Sequence, residues 1–230
     1  MVGVEALARW RHPHGVLGAG NLLPRCESAG MLPELTRQMI RQALVVATHF
    51  GGPEEAPLPV AVNIHTEMAT NPNFLGWLDE LAQVHDFVPD ALTFEILEDE
   101  FDGSAERARE GLDALCRRGY RLSIDDFGTG ASGLQRLIDI PCDELKLAAA
   151  FVHGVHLDKR KAAIVESTIM MARRMGLTVV LEGVEHAEDL QWLTGHVPSD
   201  VQVQGFYLAR PMSAGQLSLW AKARRTSRPS

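Results

Sequence analysis

Arg121-Leu122-Ser123-Ile124-Asp125-Asp126-Phe127-Gly128-Thr129-Gly130 is the stretch on which the reading of this chain turns. Its first half is apolar enough for a buried strand. It then meets two adjacent carboxylates and breaks into a Gly-rich turn. Successive side chains of a strand face opposite ways. Asp125 and Asp126 can therefore serve one site only if the strand ends there and the backbone bends. Gly128 and Gly130 supply that freedom. Two anions this close repel unless a proton or cation lies between them. The competing reading is a plain Asp-initiated turn at a strand end, and the rest of the chain decides between the two.

Outward from that stretch, strand-like and helix-like segments alternate. Strand-like runs occupy 1–7 (ending at Glu5), 60–64, 92–96, 144–147, 177–181 and 201–203. Helical periodicity covers 32–50, 74–85, 132–138, 162–175, 187–193 and 214–223, and Ser104 reads as the N-cap of a further helix reaching Arg118. Residues 10–20 read as a loop, and 51–59 as a Gly- and Pro-rich break. Alternation of this kind implies parallel strands joined by helical crossovers. Seven strands in 230 residues suggest a TIM-like (β/α) barrel over residues 1–223 more than an open doubly wound sheet. No G-x-G-x-x-G follows the first full strand, which weakens a dinucleotide fold. Residues 224–230 read as a polar, basic tail.

Composition narrows the function classes. The formal net charge of −8 opposes nucleic-acid polymers, and no basic stripe with interleaved aromatics offsets it. Apolar residues make up 46% of the chain, enough for a full core. Cys26, Cys116 and Cys142 form no C-x-x-C, and fit buried thiols in a reducing cytoplasm. Residues 1–10 lack a signal-peptide core, and no apolar run approaches membrane-spanning length.

Each strand-like run ends in a residue able to bind a cation or handle a proton: Glu5, Asn63, Glu95, Asp125 with Asp126, Lys146, Glu182 and Gln204. In a β/α barrel these carboxyl ends share one mouth, and the mouth holds the site. Five carboxylates and two amides against one Lys call for hard cations. Oxygen donors without clustered His or Cys favour Mg²⁺ or Mn²⁺ over Zn²⁺. Two such ions, with Asp125 bridging, would clamp a phosphoryl displacement. The reading from the residues alone is metal-dependent phosphodiester hydrolysis. The nine His are scattered and read as surface or loop groups, with His65 nearest a strand end.

These residues bring the chain to a known family. Glu5-Ala6-Leu7-Ala8-Arg9-Trp10, Asn63, Glu95-Ile96-Leu97-Glu98, the paired Asp with its Gly-rich loop, Lys146-Leu147, Glu182-Gly183-Val184-Glu185 and Gln204-Gly205-Phe206 stand in family order. The chain resembles the EAL domain, the bacterial cyclic di-GMP phosphodiesterase family. The resemblance implies a modified TIM barrel that hydrolyses cyclic di-GMP to linear pGpG with two Mg²⁺ or Mn²⁺ ions. It implies Glu5, Asn63, Glu95, Asp125 and Asp126 as metal ligands. Lys146 would meet the attacking water or phosphate, and Glu182 would act as general base or second-metal ligand. Arg9 would bind a substrate phosphate and Gln204 would support the site. Glu185 would steady the loop after the paired Asp. Dimerisation through the loop and helix after Asp126, an upstream sensor or cyclase domain and a cytoplasmic setting belong to the same expectation.

The chain also departs from the pattern. It starts after the point where the family carries a first strand with a Gln-Pro pair, so a barrel without that strand is expected. The family's Lys-Ile-Asp is Lys146-Leu147-Ala148 here. Leu97 replaces a usual Thr, Ala131 a Tyr and Gly133 a Ser. Two functions follow: an active phosphodiesterase, or a catalytically weak or inactive cyclic di-GMP receptor or interaction module.

Overall fold

The computed structural model describes residues 1–50, 56–98, 105–130 and 133–226. The expected N-cap Ser104, the departure at Ala131 and the last tail residues lie outside them. Seven strands follow in the order β1 (Val4–Glu5), β4 (Val60–Asn63), β5 (Leu92–Leu97), β6 (Arg121–Phe127), β7 (Glu144–Leu147), β8 (Thr178–Leu181) and β9 (Gln202–Val203). A separate pair, β2 (Trp10–His12) and β3 (Gly15–Leu17), is antiparallel. The chain divides into two compact units.

The first unit comprises residues 1–64, 73–94 and 212–230. Here β1 and β4 pair in parallel, Val4 opposite Val60 and Glu5 opposite Ala61. The helix α2 (Leu32–Phe50) buries Ile40, Ala43, Leu44 and Ala47, and packs on β4. That spacing is one face of a 3.6-residue period. The expected loop at 10–20 instead holds the β2–β3 hairpin, turned by Pro13 and His14, and the start of α1 (Ala19–Ser28). Pro13, Gly15 and Gly20 made this stretch look like a break. In fact Gly15 closes the turn at φ 124°, and Pro24 is accepted inside the helix. On α4 (Pro72–His85), Trp77 stacks on Phe74 and lies under the guanidinium groups of Arg37 and Arg41. The last helix runs Ala214–Thr226, past the expected boundary at 223, with Arg224 over the Trp220 ring.

The second unit comprises residues 65–72 and 95–211. Its strands β6, β7, β8 and β9 pair in parallel, each reached through a helical connection. These connections are α6 (Gly133–Asp139), then α7 (Ala149–Val152) with α8 (Lys159–Arg174), then α9 (Ala187–His196). The strands are covered on both faces, hence their near-continuous apolar character: Leu122, Ile124, Leu145, Leu147, Val179 and Leu181 are all buried. α8 starts three residues before the expected 162, because Asp158 caps the amides of Arg160 and Lys161. The Lys-Arg-Lys run that follows the cap carries no apolar period to announce a helix. The short α3 (Thr66–Ala69) packs against α5 (Ala105–Cys116).

All three thiols are free and half-buried rather than fully enclosed. Burial first, then nearby carboxylates led by Asp143, push Cys116 up to about 11, and burial and Asp143 do the same for Cys142. Among the described residues no helix is long and apolar enough to cross a membrane.

The α3–α5 packing is testable at Gly111. A Cβ there would lie 2.7 Å from the carbonyl of Ala69, which is backbone and cannot step aside. Gly111→Ala is expected to cost about 1–3 kcal/mol in urea unfolding, although Ala is the better helix former. Gly76→Ala on α4 meets nothing within 4 Å, and is expected to gain about 0.4–1 kcal/mol. Equal effects from the two substitutions would contradict the packing described.

Candidate functional site

Lys146 lies on β7 between the buried Leu145 and Leu147, and its side chain is 3% exposed. A buried ammonium is costly unless anions surround it. Here Nζ meets Glu95 Oε1 at 2.7 Å, Glu182 Oε1 at 2.9 Å and Asp125 Oδ1 at 3.0 Å. An ammonium has three protons to donate, and three carboxylates take up those contacts. The cluster draws one residue each from β5, β6 and β7, with Glu182 just beyond β8. Counted formally, three carboxylates face one ammonium in a largely buried setting.

The paired Asp shows how a strand end places two neighbours. The β6–β7 register shifts between Ile124 and Phe127, and Asp126 turns to φ 53°. The bend thus lies at Asp126 itself, with Gly128 following at φ 95°. Asp125 is buried and its Oδ1 accepts the Asp126 amide at 3.0 Å. Asp126 is exposed, and its carbonyl accepts the amide and hydroxyl of Thr129.

The loop that follows is held by Glu98. Its Oε2 accepts the amides of Gly128 at 2.7 Å and Gly130 at 3.1 Å. Gly130 is required for space and not for a left-handed backbone, since a Cβ there would sit 2.7 Å from Glu98 Oε1. Glu185, expected to steady this loop, is exposed and lies with His153 and His186. Glu98 stood in the quoted motif without a role. No spacing rule gives one, because the contact joins it to a loop about 30 residues on.

In the first unit, Asn63 Nδ2 donates to Glu5 Oε1 at 3.3 Å, joining the ends of β1 and β4. Arg9 is exposed, with Nη1 on the carbonyl of Ala8. In the second unit, Gln204 is fixed by its backbone: its amide donates to Leu181 and its carbonyl accepts from Val184. This sets it beside the end of β8, next to Glu182. His65 is exposed at the start of α3 and makes no side-chain cap.

The donor set fits hard divalent cations. Every acidic or amide group expected at the site offers oxygen, and the Lys146 cluster keeps a net negative charge. A parallel α/β sheet with carboxylates gathered at its strand ends defines a TIM-like scaffold. Residues 1–211 match the EAL domain family, and the chain belongs to it. MucR of Pseudomonas aeruginosa, a bifunctional diguanylate cyclase/cyclic di-GMP phosphodiesterase, is 33% identical over 94% of this chain and 32% of its own length. The solved MucR phosphodiesterase in complex with cyclic di-GMP superposes with a TM-score of 0.82 at 32% identity, covering 94% of this chain and 87% of that one. The cyclic di-GMP phosphodiesterase RocR of the same organism is 31% identical over 92% of this chain and 54% of its own. BlrP1 of Klebsiella pneumoniae, solved with manganese and cyclic di-GMP, is 34% identical, with a TM-score of 0.59 over 65% of this chain and 38% of that one. The chain thus spans about a third to a half of the full-length relatives it resembles.

Two predictions follow from the geometry. Lys146→Met leaves three carboxylates facing one another, and is expected to cost about 3–5 kcal/mol in chelator-treated protein. Added Mg²⁺ should recover part of that loss, and an unchanged urea midpoint in chelator would contradict the buried cluster. Glu98→Ala strips two amides of their acceptor at about 1–3 kcal/mol. Hydrogen exchange at Gly128 and Gly130 should then accelerate at least tenfold, and unchanged protection would show that the loop is held otherwise.

Proposed function

We propose that this chain hydrolyses cyclic di-GMP to linear pGpG with two Mg²⁺ or Mn²⁺ ions. The observation that carries the reading is the buried Lys146 among Glu95, Asp125 and Glu182. A module that only packed would lose nothing by replacing these charges with apolar groups. Membership of the family and the activities named for its relatives support the same substrate.

In the second unit, Glu95 and Asp125 would hold one ion and Asp125 with Asp126 the other; in the first unit, Glu5 and Asn63 offer a further pair of oxygen donors. Bound there, the ions supply Lewis acidity and lower the pKa of water. Glu182 takes the proton of the attacking water. The Lys146 ammonium, already aimed at three oxygens, orients that water and steadies charge growing on the phosphoryl oxygens. Arg9 offers its fork of donors to a substrate phosphate, and Gln204 keeps the Glu182 strand end in register. Glu98 holds the loop carrying Asp126, so the second-ion ligand is presented in one place.

One observation favours the receptor reading. Ala148 follows the Lys146 strand where the family carries Asp, is 2% exposed, and makes no side-chain cap for α7. A site short of one carboxylate could bind substrate without turning it over. Self-association through α6 is supported by Leu134 and Ile138, which are exposed large apolar residues on that helix. A further signal-input domain accords with the greater length of the relatives.

Incubation with cyclic di-GMP and Mn²⁺, followed by chromatography, should yield pGpG. Glu182→Ala should slow turnover by about 10²–10⁴-fold, the usual worth of a placed general base, while the circular dichroism spectrum is preserved. Near-normal rates in that variant would remove Glu182 from the mechanism. Binding without turnover in the parent, with turnover gained in Ala148→Asp, would establish the receptor reading.

A further inference from the structure

Outside the oxygen-rich cluster, two imidazoles and a carboxylate converge on the second unit. The ligand atoms of His153, Glu185 and His186 all lie within 4.8 Å of one another. The His153 and His186 rings meet edge to face at 5.2 Å between centroids. Scattered through the sequence, these residues gave no ligand spacing: Glu185 and His186 are adjacent, but His153 is more than thirty positions away.

The two segments that carry them are locked together from beneath. Asp189, 0% exposed in the first turn of α9, accepts the amide of Gly154 at 3.1 Å, one residue after His153. Its other oxygen meets His156 Nδ1 at 2.6 Å. Burial would raise this carboxyl, but the bonds from His156 and from the amides of Gly154 and His156 outweigh it and hold it below its usual range. The segment after His153 is thereby tied to the start of α9, whose N-cap residue is His186. Gly183 supplies a second lock. A Cβ there would collide with Ala149 Cβ, so α7 and the Glu182–His186 loop approach closely at a residue without a side chain. The Lys161 ammonium fixes the His153 carbonyl at 2.7 Å. The His186 side chain makes no capping bond at the helix start.

We propose that His153, Glu185 and His186 form a binding site for a transition-metal ion of the zinc class, separate from the oxygen-donor site. Two imidazole nitrogens and one carboxylate oxygen, with water in the open position, are a recurrent zinc set. Imidazole recruits Zn²⁺ where an all-oxygen ring selects Mg²⁺ or Mn²⁺, so the two sites differ in the ion they take. Tetrahedral ligation at about 2.1 Å needs donor atoms about 3.4 Å apart. All three side chains are exposed and can rotate to close that gap, while the backbone beneath them is already fixed. Glu185 and His186 follow Glu182 by three and four residues, so an ion held here also stiffens the loop that begins at Glu182.

The test is a zinc titration of tag-free, chelator-stripped protein by calorimetry, in saturating Mg²⁺ so that the oxygen donors are occupied. The parent should bind one equivalent of Zn²⁺. His153→Ala/His186→Ala should bind it at least tenfold more weakly, with its circular dichroism unchanged. Co²⁺ in place of Zn²⁺ should give visible ligand-field bands in the parent that the double variant lacks. Equal zinc binding by the two proteins, no zinc binding by the parent, or the same Co²⁺ bands in both would each overturn the site. None of these readouts depends on hydrolysis of any nucleotide.

Discussion

A single buried ammonium organises the second unit of this protein. Lys146 stands within 3.0 Å of carboxylates from Glu95, Asp125 and Glu182. Each contact ties one strand end to another, so the parallel order of β5, β6, β7 and β8 is also an electrostatic arrangement. The cluster remains anionic even with its own cation in place. That excess suits the strand ends to the divalent ions proposed above, with a lysine beside them. The same geometry that steadies the apo form prepares the chemistry.

Around that cluster the chain spends glycine where atoms must come close. Gly128 lies against Phe151, Gly130 against Glu98, Gly183 against Ala149, and Gly205 against the backbone of Val184. Each contact sits on a loop that follows a strand, where a site residue has just been presented. Glu98 is the clearest case. It is buried, reaches a loop from a neighbouring segment, and converts the Gly128–Gly130 turn from a bend into a fixed support for Asp126. Two carboxylates of one motif thus have different partners: Glu98 holds the loop amides and Glu95 the Lys146 ammonium.

Much of this was legible in the sequence, for a physical reason. Strands buried on both faces read as short apolar runs, and a polar residue ending each run marks the open end of a parallel sheet. Glu95, Asp125, Lys146 and Glu182 were placed by that rule, and the structure brings all four together. What escaped was decided by tertiary contact or turn chemistry. The β2–β3 hairpin hid behind Pro13 and Gly15, and the start of α1 behind Gly20. The role of Glu98 and the meeting of His153 with His186 depend on segments about 30 residues apart, which no local period can announce. The paired Asp gave the converse lesson. A bend was expected from the glycines, yet the backbone turns first at Asp126, and Gly130 serves only to make room.

The account stands or falls on whether the oxygen donors gather divalent ions. Free Mn²⁺ followed by electron paramagnetic resonance, during titration of chelator-stripped protein and its Asp125→Ala variant, addresses this directly. The parent should take up two equivalents, and the variant, without the Asp125 carboxylate, should lose at least one. The same stoichiometry and affinity in both proteins would contradict it.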